Sequence, residues 1–199
     1  CWVPSRADAL GWGGPWCPER VAVVRGLGGV TASGGHVLAR RQLARAGERE
    51  SPEWAVSLGA RRLAAALLPP AFTSGYTLEV PLTDTSRYLD YLAARFRAAG
   101  GEMESGIHFD DLAQVSRDFS LVINCTGVGA RTLLPDPEVE PHRGQVVIVG
   151  GIRQSYAVAS DDPPLMYAIP RGHDCVFGGT NEVSDDRNPD PAAPTAIVA

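Results

Sequence analysis

The sequence has few cysteines and histidines, and neither type is clustered as a metal site or a disulfide framework would require. Its 199 residues include four cysteines, Cys1, Cys17, Cys125 and Cys175, and none of them form a CxxC pair. Their scatter favours free thiols in a reducing compartment over a zinc site or a disulfide framework. The four histidines, at 36, 108, 142 and 173, are equally isolated, so we expect no metal site.

Excess positive charge and long apolar runs are also missing. The net charge is −5 and the predicted pI is near 5.3, with no basic stripe, which argues against a nucleic-acid partner. The apolar runs are far shorter than the ~20 residues of a membrane-spanning helix, and the start, Cys1–Pro4, does not resemble a signal peptide. We therefore expect no membrane partner. The first residue is not methionine, so we expect an incomplete reading frame or a processed chain.

What the sequence does contain predicts a packed fold of one domain or two small ones. Hydrophobic residues make up 44% and charged residues 21%, which is ordinary for a globular protein with a core. The clearest strand is 76–82, where Tyr76, Leu78, Val80 and Leu82 alternate on one face, and Pro81 predicts a place at a sheet edge.

A helix is predicted directly after this strand, from Ser86 to Ala99. Asp84 or Thr85 can cap its first turn, and Gly100-Gly101 ends it. A set of large side chains recurs at helical spacing and predicts a face that packs on the core; the set is Tyr88, Leu92, Phe96 and Ala99.

The other predicted elements are shorter. Residues 1–20 show no periodicity, and 40–50 could be a helix or a disordered connector. Helices are predicted at 61–68, 110–119 and 192–199, and a hairpin turn at 171–174. Strands are predicted at 21–24, 36–39, 102–109, 121–124, 145–149, 166–169 and 175–177.

Two glycine-rich segments could approach a ligand. Gly26 and Gly28 match the first two positions of the dinucleotide fingerprint G-x-G-x-x-G, but the third falls on Thr31, so a glycine-rich hairpin turn fits equally well. The second segment, 124–131, follows a predicted buried strand. Its glycines would let a phosphate or sugar come close to the main chain, although a simple strand-to-helix turn is the simpler interpretation.

The order of short motifs over more than a hundred residues resembles the D-amino-acid oxidase and D-aspartate oxidase family. The segments that carry the resemblance are Asp84-Thr85-Ser86-Arg87-Tyr88-Leu89, Leu121 to Arg131, Asp136-Pro137, Arg143-Gly144-Gln145-Val146, Tyr167-Ala168-Ile169-Pro170-Arg171 and Gly178-Gly179-Thr180.

The resemblance implies an α/β (mixed α+β) fold, with a partial doubly wound FAD-binding domain and a mixed-sheet substrate domain. It implies oxidation of a D-amino acid by FAD, with oxygen as second substrate. Cys125, Thr126 and Gly127 would line the FAD, with Gly26 and Gly28 as further cofactor-binding candidates. Tyr167 would hold the substrate carboxylate; alternatively it is a strand aromatic that only packs. Three arginines could also bind a carboxylate: Arg87, Arg143 and Arg171.

Under this resemblance the chain divides into three parts. Residues 1–72 would be a degenerate N-terminal part of the FAD-binding domain, 84–142 a further segment of it, and 73–83 with 143–199 the strands of the substrate domain. We expect the chain to be truncated at both ends relative to the family. The family's second substrate-contacting tyrosine falls on Asp161-Asp162-Pro163-Pro164, which has no aromatic residue.

Three functional alternatives follow. The chain is a D-amino-acid oxidase, a truncated and inactive remnant of one, or a related flavin amine oxidase of the glycine or sarcosine type. We expect a cytoplasmic protein, or a peroxisomal one in a eukaryote, and leave a homodimer open. The choice between neutral and acidic D-amino acids is not readable from the sequence.

Overall fold

The computed structural model describes residues 22–23, 26, 33–47 and 50–198. Among these residues a seven-stranded mixed sheet dominates the fold. Its strands, in chain order, are β1 (Gly35–Ala44), β2 (Arg61–Arg62), β3 (Ser74–Thr83), β5 (Val146–Gly150), β6 (Tyr156–Ser160), β7 (Met166–Pro170) and β8 (Asp174–Gly178). Two further short strands, β4 (His142–Arg143) and β9 (Glu182–Val183), pair with each other. The expected α/β class with a mixed sheet is confirmed.

The order of the large sheet is β2-β3-β1-β6-β7-β8-β5. Within it, β1 and β6 run parallel, and the other neighbours are antiparallel. Among the helices whose bounds lie within the described residues, only α2 is long; they are α1 (Glu53–Ser57), α2 (Thr85–Ala98), α3 (Leu112–Ser116), α4 (Ala130–Leu133) and α5 (Ala193–Val198), with 3-10 turns at Ala65–Leu67 and Gly127–Gly129.

The predicted inward face of β3 is confirmed. Tyr76, Leu78, Val80 and Leu82 are all buried, because alternate side chains of a strand point to the same side of a sheet. Helix α1 covers part of this face through the buried Ala55, with Trp54 packed against the same cluster.

The position of Pro81 follows from the short length of β2. β2 pairs with β3 only at Thr77 and Tyr76, so in the described chain Pro81 has a strand neighbour, Val37 of β1, on one side alone. A proline cannot donate a ladder hydrogen bond, and this half of β3 is an edge that tolerates it.

The ends of α2 are as predicted. The Asp84 carboxylate accepts a hydrogen bond from the Ser86 amide at 3.3 Å, which caps the first turn. At the other end Gly100 has φ +87°, and the amides of Gly101 and Gly100 donate to the carbonyls of Phe96 and Arg97. This pattern is a Schellman motif.

The predicted core face of α2 is wrong. No residue of the helix is buried, and Phe96 is 51% exposed. The spacing made an apolar stripe, but in the described part of the chain no element covers it; the Phe96 ring instead lies against the main chain of Gly101.

Four other local predictions are also corrected. Residues 40–44 continue β1 instead of forming a helix or connector, because β3 pairs with all five of them and β6 pairs with residues 40–42. Residues 61–68 form β2 and a 3-10 turn, residues 102–109 form no strand, and Ala22 and Val23 are helical.

The most consequential correction concerns 121–124. These residues lie outside both sheets, and Ile123 is 78% exposed. An apolar strand buried on both faces needs neighbours that pair with it, and none of the described strands does so.

The remaining short elements agree with expectation. The predicted strands at 36–39, 145–149, 166–169 and 175–177 are present, the hairpin through 171–174 joins β7 to β8, and α3 and α5 lie within the helices predicted at 110–119 and 192–199. The division into three domain parts stays a prediction; β1, from the first part, shares its sheet with β3 and β6. Among the described residues, none of the helices has the length and apolar character needed to cross a membrane.

Candidate functional site

A well-formed cleft lies on one face of the sheet, over β6. Its volume is about 450 Å³, within the range of sites for small molecules. Strand register explains its shape, because Ala157 pairs with Arg40 of β1 and Ala159 pairs with Tyr167 of β7. Residues that pair across strands share a face. The two alanines therefore form a low floor between a charged wall and an aromatic wall.

The rest of the lining is mainly apolar. Leu165, Ile169 and Val176 border the cleft together with Asp161. An apolar pocket with a few convergent polar groups is the usual form of a ligand site, so this cleft is the candidate substrate site.

Tyr167 is placed by the glycines of β8. It pairs with Gly178, and a Cβ atom built on Gly178 would overlap the Tyr167 ring and hydroxyl. A Cβ on Gly179 would lie 3.0 Å from the same hydroxyl. The Gly178-Gly179 pair therefore makes room for the ring on the sheet surface, which is a local packing reason for this motif.

The Tyr167 hydroxyl is suited to donate a hydrogen bond. Burial raises the pKa of Tyr167 above its ordinary value of 10.0, because a low dielectric disfavours the phenolate. At neutral pH the group stays protonated and can donate to an anion in the cleft.

Arg40 is the polar residue that the sequence did not reveal. It lies within 40–50, the segment predicted as a connector, yet it is only 8% exposed and lines the cleft. Its Nη2 donates to Oε1 of Gln42, whereas its Nη1 has no hydrogen-bond partner. Burial lowers the pKa of Arg40, while Tyr76 and Asp161 oppose that shift. The sequence would have indicated Arg40 if 36–44 had been treated as one strand. Arg40 would then share a face of the sheet with Leu38 and Gln42.

The loop between β6 and β7 is held against the end of β1. Nε2 of Gln42 donates to the Asp161 carboxylate at 3.0 Å, and the Arg45 amide donates to the Asp162 carboxylate at 2.7 Å. The Arg45 guanidinium also donates to the Pro164 carbonyl at 2.9 Å. The Asp161-Asp162-Pro163-Pro164 segment is thus held in place by hydrogen bonds from β1 and from Arg45, the residue after it.

Arg171 lines the cleft, but its guanidinium already has an acidic partner. Its Nε and Nη2 donate to the two carboxylate oxygens of Asp174 at 2.8 and 2.6 Å. This paired hydrogen bonding is the main cause that lowers the pKa of Asp174 and raises that of Arg171. Asp84 lies 3.9 Å from Arg171, and its pKa is lowered mainly by the Ser86 hydrogen bond. Arg171 therefore joins the β7–β8 turn to the start of α2.

Arg143 is likewise engaged within the chain. It forms ion pairs with Glu182 at 3.0 Å and Asp186 at 3.2 Å. Nearby, Oε1 of Gln145 accepts a hydrogen bond from the Asp190 amide at 2.7 Å. The Arg143-Gly144-Gln145 motif thus ties segment 182–190 to the β4–β5 region. Arg87 lies outside the cleft lining, with its Cβ placed over Gly34.

The predicted flavin-contacting residues form an open loop. Cys125, Thr126 and Gly127 are all exposed, and Gly127 has φ +59°, a conformation that glycine adopts without strain. The Asn124 carboxamide oxygen accepts from the amide and the hydroxyl of Thr126, at 3.1 and 2.8 Å, which fixes the turn. None of these residues lines the cleft of Tyr167, so the structure does not bring the two sets together.

The first glycine-rich segment is described only in part. Gly26 is helical and exposed, with nothing within 4 Å of an added Cβ, whereas Gly28 lies outside the described residues. No group of three or more metal-binding side chains occurs among the residues that the structure describes.

The residues at 125–127 fit the approach of a nucleotide. No heavy atom lies within 4 Å of a Cβ built on Gly127, so the main chain is accessible, and Thr126 offers a hydroxyl. In the described chain no strand leads into this loop, because 121–124 are not part of a sheet.

Known proteins are similar to this chain over most of its length. A family model described as FAD dependent oxidoreductase matches residues 20–198. A D-amino-acid oxidase of Rubrobacter xylanophilus is 36% identical over 99% of this chain, and one of Dictyostelium discoideum is 30% identical over 92%. A D-aspartate oxidase of Homo sapiens is 31% identical over 68% of the chain.

The matched regions cover 61%, 54% and 40% of those three proteins, respectively. The chain therefore spans about half the length of the relatives that it matches. The family model nevertheless includes every strand of both sheets and the glycine-rich loop at 125–127. The chain thus belongs to the family of FAD-dependent oxidoreductases that includes the D-amino-acid and D-aspartate oxidases.

Proposed function

We propose that the protein takes part in the FAD-dependent oxidative deamination of a D-amino acid. In this reaction the amino acid, water and oxygen give a keto acid, ammonia and hydrogen peroxide. The observation that carries the proposal is the half-buried Tyr167 on the wall of a 450 Å³ cleft. The similarity to D-amino-acid oxidases supports the choice of substrate class.

The proposed substrate site consists of the cleft residues. Tyr167 donates its hydroxyl hydrogen bond to the substrate carboxylate, and burial, which raises the pKa of Tyr167, further disfavours the phenolate that could not donate. Ala157 and Ala159 leave space above the sheet, and Ile169 and Val176 exclude water from one side of the substrate. Such fixed orientation is the contribution that a protein makes to a cofactor-dependent reaction.

The proposed cofactor site is the loop Cys125, Thr126 and Gly127. The open main chain at Gly127 allows close contact, and the Thr126 hydroxyl is within reach of a ligand because it lies on the exposed side of the turn. The chemistry supplied by bound FAD is acceptance of a hydride from the substrate Cα, followed by its transfer to oxygen.

An absorbance spectrum of the purified protein tests the proposal. We expect visible flavin bands that stay with the protein through gel filtration after FAD has been added. Peroxide release with D-alanine, D-aspartate, glycine and sarcosine then distinguishes a D-amino-acid oxidase from a glycine- or sarcosine-type enzyme. No retained flavin, or peroxide only with glycine or sarcosine, would contradict the proposal.

We predict that Tyr167→Phe raises KM roughly tenfold or more, since a hydrogen bond to a charged group contributes about 1.5–3 kcal/mol. The variant keeps the ring that packs over Gly178, so the fold should be unchanged. Peroxide release as a function of D-alanine concentration measures the effect. Tyr156→Phe, at a tyrosine outside the cleft lining, is the matched control, and equal KM values for all three proteins would remove Tyr167 from the site.

The exposure of 121–124 favours a second candidate function. In this alternative the seven-stranded sheet forms and its cleft binds a ligand, but the chain does not retain flavin. In the described residues this segment supplies no strand behind the loop at 125–127. This candidate predicts ligand binding in the cleft without flavin bands, an outcome that the spectrum and a binding titration together distinguish from the first.

A further inference from the structure

The candidate substrate cleft has an exposed carboxylate at its rim. Asp161 follows β6 and lines the cleft together with Arg40 and Arg171. Side chains alternate along a strand, so Asp161 continues the face of Ala157 and Ala159, the low floor on which a ligand would lie. Asp161 is exposed, whereas Arg40 is only 8% exposed. The carboxylate is therefore the more accessible of these two opposite charges.

A hydrogen bond from β1 orients the Asp161 carboxylate. Nε2 of Gln42 donates to its Oδ2 at 3.0 Å, and the Gln42 side chain is itself held, because it is buried and its Oε1 accepts from Nη2 of Arg40. A carboxylate can accept several hydrogen bonds. The bond from Gln42 therefore positions Asp161 without excluding a further donor from a ligand.

The other charged groups beside the cleft do not cancel this negative charge. Both carboxylate oxygens of Asp174 accept from Arg171, at 2.8 and 2.6 Å, and Asp84 lies 3.9 Å from the same guanidinium. Arg40 and Arg171 thus face three carboxylates, those of Asp84, Asp161 and Asp174. An excess of negative charge around a cleft favours cationic ligands.

The separation of Asp161 from Tyr167 suits a ligand that is charged at both ends. Ala159 of β6 pairs with Tyr167 of β7, and Asp161 lies two residues beyond Ala159. With about 3.3 Å per residue along a strand and about 4.8 Å between strands, the main chains of Asp161 and Tyr167 are roughly 8 Å apart. An amino acid with a side chain as long as that of lysine can therefore lie between the two groups, in a cleft of about 450 Å³.

We propose that Asp161 determines specificity and makes the cleft select D-amino acids with a cationic side chain, such as D-lysine or D-arginine. The ammonium or guanidinium donates charge-assisted hydrogen bonds to the Asp161 carboxylate, whereas the side-chain carboxylate of D-aspartate or D-glutamate is repelled by it. Repulsion of the wrong ligand contributes to such selectivity as well as attraction of the right one. The inference rests on the proposed function for the ligand being a D-amino acid.

Calorimetric titration of the purified chain, without added FAD, tests this inference. The ligands are D-lysine, D-norleucine and D-glutamate, whose side chains are positively charged, uncharged and negatively charged. The preference ratio is the affinity for D-lysine divided by that for D-norleucine. We expect Asp161→Asn to lower this ratio at least about fivefold, the upper end for an exposed ion pair, because the cleft partly removes both charges from water. D-glutamate should bind the unmodified protein more weakly than D-lysine and should gain affinity in the variant.

Asp162→Asn is the matched control. It removes the same charge from the next residue, whose carboxylate accepts from the Arg45 amide at 2.7 Å and does not line the cleft. Its preference ratio should stay within about twofold of that of the unmodified protein. Four results would overturn the proposal: an unchanged ratio in Asp161→Asn, an equal fall in both variants, tighter binding of D-glutamate than of D-lysine by the unmodified protein, or no measurable binding of D-lysine.

The asparagine variant should keep the fold, because its side-chain oxygen can still accept from Gln42. Asp161→Ser, whose hydroxyl can also accept this hydrogen bond, provides the ratio if the asparagine variant does not fold. None of these measurements needs flavin. A missing flavin spectrum would therefore contradict the oxidase function and leave the charge preference measurable, whereas an unchanged ratio would remove Asp161 and leave the oxidase function standing.

Discussion

Gly178→Ala should destabilise the fold by about 1–3 kcal/mol, the usual cost of forcing extra volume into a packed site. The added methyl group would occupy the space of the Tyr167 ring, so the ring must leave the sheet surface or the strands must shift. We expect D-alanine binding to fall with it, because the aromatic wall of the cleft moves. Urea unfolding and ligand titration measure the two effects.

Gly150→Ala is the matched control for this substitution. Gly150 is also a strand glycine, in the neighbouring β5, but nothing lies within 4 Å of its added Cβ. Its replacement should be neutral or slightly stabilising, since alanine restricts the unfolded chain. In a Tyr167→Ala background the cost of Gly178→Ala should disappear. Two results would show that the Tyr167 ring does not pack over Gly178. One is a double variant whose loss of stability equals the sum of the Gly178→Ala and Tyr167→Ala losses; the other is an equal loss from Gly178→Ala and Gly150→Ala.

Leu43→Ala should cost about 2–5 kcal/mol, the range for removing a buried leucine side chain. Leu43 lies in β1 and is only 1% exposed. Its Cδ2 lies 3.0 Å from the position of a Cβ on Gly75, so it fills space against β3. This experiment tests whether segment 40–44 belongs to β1. If the segment were a disordered connector, truncating Leu43 would hardly change the free energy of unfolding.

Val37→Ala provides the comparison within the same strand. Val37 pairs with Pro81 but is 43% exposed. We therefore expect Val37→Ala to lower the free energy of unfolding by well under half as much as Leu43→Ala does. The midpoint of chemical unfolding reports both values. Similar losses at the two positions would contradict the placement of β1 in the centre of the sheet.

The parts of the fold that could be predicted are those fixed by local chemistry. The alternation in β3, the Asp84 cap and the Gly100-Gly101 stop each depend on residues within a few positions. The hairpin of β7 and β8 is equally local, since Arg171 and Asp174 pair across its turn. In each case the sequence pattern and the three-dimensional environment require the same conformation.

The errors arose where distant residues determine the outcome. Segment 40–44 has charged side chains that are typical of a connector, yet β3 and β6 both pair with β1. Segment 121–124 has the opposite character: it is apolar like a buried strand, but no described strand pairs with it. Composition alone cannot show which neighbours are available.

Dependence on residues that are distant in sequence also explains why only part of the candidate site could be predicted. Tyr167 could be selected because its motif is contiguous, and the structure places it on a cleft. Arg40 could not, because its importance depends on the register that brings it opposite Ala157. The roles of Tyr167 and of the loop at 125–127 stay predictions for experiment.

We propose that FAD contacts the open loop at Cys125–Gly127, and the rate at which Cys125 is alkylated measures this contact. Cys125 is exposed, whereas Cys175 is buried and burial raises the pKa of its thiol, so Cys175 should not react in the folded protein. Peptide mass spectrometry resolves each cysteine. FAD at ten times its dissociation constant should slow alkylation of Cys125 by about tenfold, in proportion to the free fraction. An unchanged rate, with FAD shown to be bound, would mean that FAD does not cover this loop.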